Sequence, residues 1–340
     1  MNRRLFVPAF ALLATVLPAH AQDKQVNVIC SAAGDWCSLV QATFAKSSGI
    51  KVNMLQKSSG EALAQILAER DNPKTDLWFG GTGDPHMMAA EQGLTLEYKS
   101  PMLGELRPWA VQEARLSGYR TTALYVGALG FAYNTELLAR KKLPVPHTWA
   151  DLLRPEYRGE VQMANPTSAG TAYTTIATVV QLMGPDKAWD YLRKLHKNIA
   201  VYQRSGMGPL KAVSRGEATI SISFIGDVAN EQAQGFPVQF VTPTDGTGAE
   251  LASISIVKGA RNLENARKLY DWALTPAAQQ LGPLARVFTL PSNMKTPLDP
   301  RVPDYAKIKL IDYDYGKYGS ASERRRLIGA WESGVYSQPQ

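Results

Sequence analysis

Along residues 26–92, short apolar runs alternate with small-residue turns and with segments whose apolar positions fall three and four apart. Residues 26–29 (Val-Asn-Val-Ile) read as a strand, and Leu39, Val40 and Phe44 then share one face of a helix over 36–47, which Gly49 ends. A second strand over 51–55 leads to a helix carrying Leu63, Ile66 and Leu67, and a third over 76–79 leads through a glycine-rich turn to a helix over 85–92. Strand, turn and helix repeated three times predict a parallel sheet covered by helices. The stretch 119–133 is β-prone and long enough for two strands, or for one strand that leaves a first lobe for a second. Beyond it the same logic returns: a strand over 161–164, helices over 171–183 and 186–194, a strand over 218–224, extended segments over 238–241 and 252–257, and helices over 263–274 and 320–335. No Gly/Ser linker divides the halves, so the chain is expected to cross between them near 119–131 and 238–250. The predicted fold class is α/β with two lobes, each a mostly parallel sheet flanked by helices, with a ligand cleft between lobes. Residues 22–120 with about 250–340 are assigned to lobe 1, and about 121–249 to lobe 2.

The first 21 residues do not belong to that pattern. Arg3 and Arg4 precede an apolar run over 5–17, and Ala19-His20-Ala21 closes it with the small-x-small spacing of a cleavage site. This describes a secretory signal peptide cleaved after Ala21, hence a periplasmic location; a membrane anchor needs roughly 20 apolar residues. The remaining 319 residues suit about two domains. The formal charge of +7 falls to +5 without Arg3 and Arg4. That suits anionic ligands but is too weak and scattered for nucleic acid. The run Arg324-Arg325-Arg326 reads as a solvated helix face. Cys30 and Cys37 are the only cysteines. In an oxidising compartment they predict a disulfide, against a metal or redox pair, for which the spacing is wrong and no histidine is near.

Four turns share one chemistry. Ser31-Ala32-Ala33-Gly34, Ser58-Ser59-Gly60, Gly81-Thr82-Gly83 and Thr167-Ser168-Ala169-Gly170-Thr171 each follow a predicted strand and precede a predicted helix. A helix start offers unpaired N–H groups and about half a positive charge, glycine permits close approach, and hydroxyls add donors. Any one such turn could be an ordinary N-cap. Four at the carboxyl ends of strands point to an anion site. The candidate ligand-binding residues are Ser31, Ser58, Ser59, Gly60, Gly81, Thr82, Ser168, Gly170 and Thr171, with no catalytic residue, cofactor or metal.

The secretory start, Ser58-Ser59-Gly60-Glu61, Asp76-Leu77-Trp78-Phe79-Gly80-Gly81, Pro146-His147-Thr148-Trp149-Ala150-Asp151-Leu152-Leu153 and Asn165-Pro166-Thr167-Ser168-Ala169-Gly170-Thr171 together resemble the ferric-iron-type branch of the extracellular (family 1) solute-binding proteins. The resemblance implies a type II-like periplasmic-binding-protein fold, two α/β lobes joined by strand hinges, closing over a solute and docking on an ABC permease in the inner membrane. Iron-binding members carry two adjacent tyrosines where Gly226-Asp227 stand in this chain, and hard Fe³⁺ wants such anionic oxygens. A neighbouring subgroup binds phosphorylated sugars, and Asp227 and Glu250 match its hydroxyl-holding carboxylates, although Gly226 replaces its histidine. Phosphonates are a further cargo of the branch. The expected partners are therefore a small anionic solute and the permease, with no nucleic acid and a monomeric state. Iron transport is the alternative.

A secreted α/β hydrolase is the rival class. It lacks support in the sequence: there is no Gly-x-Ser-x-Gly elbow, no His-Glu-x-x-His, no Walker loop and no dinucleotide fingerprint, and His86, His147 and His196 are scattered.

Overall fold

The structure, a computed structural model, describes residues 24–340; the expected signal peptide and its cleavage site lie outside them. The chain order is β1 (Gln25–Cys30), α1 (Gly34–Ser48), β2 (Lys51–Gln56), α2 (Ser59–Ala68), β3 (Leu77–Thr82), α3 (Gly83–Glu91), α4 (Pro108–Leu116), β4 (Thr122–Asn134) and α5 (Thr135–Lys141). Then come β5 (Val161–Ala164), α6 (Gly170–Met183), α7 (Pro185–His196), β6 (Ile199–Gln203), α8 (Gly208–Ser214), β7 (Ile220–Phe224), α9 (Ile225–Ala233), β8 (Val238–Val241) and β9 (Ala249–Ile256). The chain finishes with α10 (Leu263–Ala273), α11 (Pro276–Gln279), α12 (Leu281–Leu284), β10 (Leu290–Pro291), α13 (Tyr315–Tyr318) and α14 (Ala321–Trp331).

The strands lie in the order β2-β1-β3-β9-β4-β7-β5-β6, with β8 and β10 also pairing with β4. At one end β1 runs parallel to β2 and β3, and at the other β5 runs parallel to β6 and β7. Between them β9 and β4 are antiparallel inserts. The ambiguous stretch near 120 is one strand. Residues 122–128 of β4 pair with β9, and residues 129–134 pair with β7 and β8.

Two large apolar cores flank this shared strand. One gathers Val28, Trp36, Phe79, Leu124, Ile254 and Leu269; the other gathers Phe131, Trp149, Val161, Tyr173, Ile176 and Ile220. Strands β1 and β7 read clearly because apolar residues recur along them: Val26, Val28 and Ile29, and Ile220 and Ile222, are buried in the cores. Packing divides the C-terminal region that the sequence assigned wholly to lobe 1. Residues 251–287 join the first core, whereas Tyr313, Tyr318, Leu327, Trp331 and Val335 join the second. The chain therefore returns once more, on a segment with no sheet pattern to announce it. Among the described residues no helix is long and apolar enough to cross a membrane.

The motif over 146–153 is architectural. Asp151 accepts from the His147 and Thr148 amides, and the fully buried Trp149 donates its indole N–H to the Gly246 carbonyl at 2.9 Å. Cys30 and Cys37 form the expected disulfide, which brackets the first of the four turns.

Candidate functional site

The four turns meet. A Cβ on Gly81 would stand 2.6 Å from the Ser31 Cβ and 2.5 Å from the Ser59 hydroxyl, and its φ of 86° lies where only glycine is comfortable. The Ser59 oxygen accepts the Thr82 amide proton at 3.0 Å, and the Ser31 oxygen accepts the Trp78 indole proton at 2.9 Å. Both hydroxyls thus keep their own protons to give. Across the cleft, a Cβ on Gly170 would collide with the Thr82 hydroxyl, and one on Gly60 would stand 3.2 Å from the Ser168 carbonyl oxygen. Turns from the two halves therefore touch through glycines. Thr171 follows Gly170 in the first turn of α6, its hydroxyl against Gly206.

Ordinary capping accounts for only one of these helix starts. At α2, the Glu61 carboxylate accepts from both the amide (3.2 Å) and the hydroxyl (2.9 Å) of Ser58, a capping box that occupies Ser58. The starts of α1, α3, α6 and α9 have no side-chain cap. Of these, α1, α3 and α9 carry an acidic residue in the first turn and α6 carries none. The strongest unanswered positive pole is therefore that of α6. Beside it, the Thr82 hydroxyl is buried with no hydrogen-bond partner among the described residues, an omission that buried polar groups rarely tolerate. The turn before α6 is anchored from behind: Ser168 donates to the Arg204 carbonyl at 2.7 Å, and Thr167 to Asn165 at 2.6 Å.

His86 buttresses this floor. Its Nε2 faces the Gly80 carbonyl at 3.0 Å and its Nδ1 the Ser255 hydroxyl at 2.7 Å, while its ring stacks on Trp78 at 3.6 Å. A carbonyl can only accept, so Nε2 holds the proton and the ring is neutral. Burial presses its pKa down to about 3.

Asp227 and Glu250 lie together in a second arc with two phenols. Glu250 sits on β9, buried, its carboxylate against Gly127; Asp227 sits in the first turn of α9. Neither accepts a hydrogen bond among the described residues. Burial raises the Asp227 carboxyl to about 7, with Glu231 adding and Lys211 opposing. Burial, then the charges of Asp227 and Asp84, lifts Glu250 well above the carboxylate range. Tyr125 and Tyr305 sense both carboxylates, and Tyr305 donates to the Val126 carbonyl at 2.8 Å. Trp36, from the first turn of α1, packs on Tyr125 at 5.2 Å and so joins this arc to the turns. Two unpaired carboxyls want donors, and hydroxyl groups supply them.

Sequence reasoning does not single out Tyr125, Tyr305, Asp84 or Arg324. The arginine run read as solvated is so for Arg325 and Arg326 only; Arg324 is 8% exposed and lies under the turn before α6. The signal was present in the spacing: Leu327, Ile328 and Trp331 follow it by three, four and seven residues, which places it on the apolar face. Among the described residues no group of three or more His, Cys, Asp or Glu is arranged to hold a metal ion.

Comparison with known proteins gives one family. The family described as bacterial extracellular solute-binding protein matches residues 72–317. A protein of Haemophilus influenzae is 42% identical over 318 residues, 92% of this chain and 91% of its own. A probable ABC transporter periplasmic-binding protein of Sinorhizobium fredii is 23% identical over 274 residues, 78% of this chain and 74% of its own. The periplasmic binding protein AfuA of Actinobacillus pleuropneumoniae, solved with exogenous fructose 6-phosphate, superposes with a TM-score of 0.90 at 41% identity, covering 92% of this chain and 99% of that one. Two α/β halves sharing a strand, hydroxyl turns closing on one another across a cleft, and these matches agree, and the chain belongs to the bacterial extracellular solute-binding proteins.

Proposed function

We propose that the chain is the solute-capturing component of an ABC importer and takes a small phosphate- or phosphonate-bearing solute. The observation that carries this reading is the meeting of turns from both halves around the uncapped start of α6, beside the partnerless Thr82 hydroxyl. In this reading the anion sits among Ser31, Ser59, Gly60, Gly81, Thr82, Ser168, Gly170 and Thr171, with Ser58 serving the capping box behind it. Asp227 and Glu250 take hydroxyl groups at the other end. AfuA, whose structure holds fructose 6-phosphate, supports a ligand of that bipolar kind.

Function is then capture by closure. An anion touching both halves binds the closed form better than the open one and shifts the equilibrium toward it. The hinges are the shared strand β4 and the β8–β9 connection. Lobe 1 holds 22–120 and the segment from about 250, lobe 2 holds about 121–249, and the C-terminal residues that pack on the second core close the molecule. The chain works by binding alone, without turnover, as a monomer in the periplasm after cleavage behind Ala21, and hands its solute to an inner-membrane permease.

Calorimetry of the mature chain tests this with fructose 6-phosphate, 2-aminoethylphosphonate, inorganic phosphate and unphosphorylated fructose. Saturable binding of a phosphorylated or phosphonate probe, with fructose silent, is expected. Silence from every anion together with tight Fe³⁺ binding would overturn it, and sustained release of phosphate from an ester would make the protein an enzyme.

A further inference from the structure

Arg324 is the only buried lysine or arginine among the described residues. Taking a guanidinium out of water is costly unless its charge and donors are met. They are met only in part. Its plane lies 4.5 Å from the centre of the Tyr173 ring, and Nη2 donates to the Pro166 carbonyl at 3.2 Å. Nη1 is buried with no partner, and no carboxylate forms an ion pair with it among the described residues. Asp84, in the first turn of α3, is the carboxylate whose charge acts on it.

Position gives this arrangement a purpose. Pro166 begins the turn that ends at the start of α6, and Tyr173 lies in the first turn of that helix. Arg324 thus grips the turn at its first residue and the helix just past its start. Arg324 itself sits on α14, near the chain's far end, so the grip is not a product of local sequence.

We infer that Arg324 is a positioning residue for the anion end of the cleft: it holds the turn 165–170 in shape through the Pro166 carbonyl and places a buried positive charge, held in no ion pair, behind it. This rests on the proposed anion capture for its purpose but not for its geometry. A lysine would keep charge and donor while losing the planar stack on Tyr173. A glutamine would keep only a weaker donor.

Two measurements on the full mature chain separate the claims. Amide hydrogen exchange of the ligand-free protein reads the turn directly. R324Q is expected to speed exchange across 165–173, R324K to restore much of the protection, and the packing control L327A, on the same helix, to leave the turn protected. Calorimetry with fructose 6-phosphate reads the charge. R324Q should weaken binding roughly ten- to hundredfold and flatten its dependence on salt, whereas L327A lowers the melting temperature without either change. Unaltered exchange in R324Q, or equal effects in R324Q and L327A, overturns the inference. Should R324Q fail to fold, R324K decides it: binding and exchange as poor as those of an unheld turn would overturn the role of charge. A wild type that binds no phosphorylated probe overturns the proposed function instead, and the exchange data still judge Arg324.

Discussion

Asp84 and Glu113 are carboxyls that folding leaves short of partners. Glu113 receives the Ser253 hydroxyl at 2.6 Å on one oxygen and nothing on the other. Burial raises it to about 8, with the Asp84 charge adding and the Ser253 bond opposing. Burial likewise raises Asp84 to about 7 against the pull of Arg324 and Tyr313. In the unfolded chain both titrate near 4. Between about pH 4 and 8 the native state therefore holds protons that the unfolded state has released, and stability falls as pH rises through that window. The slope is at most about 1.4 kcal/mol per pH unit for each carboxyl. Melting of the ligand-free protein at pH 5 and pH 8 should show the loss, and D84N should shrink it; an equal loss in D84N would refute the assignment. Legibility at this scale was uneven. The hydroxyl turns could be read because Ser, Thr and Gly before a helix have few uses. Asp227 and Glu250 came only through family resemblance, since a lone carboxylate carries no pattern. Asp84 and Tyr305 are brought to the cleft by tertiary packing that no local sequence encodes.

Helix starts are the working parts at the next scale, and α6 is the most exposed to insult. A methyl group on Gly170 would occupy the place of the Thr82 side chain. G170A should leave each half folded yet prevent the turns from meeting. Small-angle scattering should then show no compaction on adding fructose 6-phosphate, with affinity down by more than about tenfold; normal compaction would show that the closed contact is softer than drawn. The elements themselves were mostly readable, because the buried strands carry apolar residues at alternate or successive positions and the helices after them keep a 3.6-residue period. Two of the elements that were missed have clear physical reasons. Strand β6 is an edge with exposed Ala200 and Val201, so it lacks a clean alternation. Helix α4 carries the buried Glu113 on its inward face, which breaks the apolar stripe.

For the molecule as a whole, the halves are also joined at the lip of the cleft. Glu61, held by the Ser58 capping box, forms an ion pair with Arg204, whose carbonyl anchors Ser168. Arg204 is largely exposed, so the bridge is weak, on the order of 1 kcal/mol or less. It forms only when the halves are together. R204A should therefore speed ligand dissociation a few-fold and leave association nearly unchanged in stopped-flow fluorescence; a slowed association with unchanged release would contradict it. That the chain crosses between halves was legible from the absent linker and the long β stretch. Its last return, through residues 313–335, was not, because those side chains serve a core built from residues far upstream.

Strand β9 completes the middle of the sheet, between β3 and β4, yet it is synthesised only after almost three quarters of the chain. Until it emerges, both neighbours have bare edges toward each other and the first core lacks Leu251, Ile254 and Ile256. A chain built this way cannot close its first sheet until late in synthesis, so a nascent fragment ending before residue 249 is expected to stay slack.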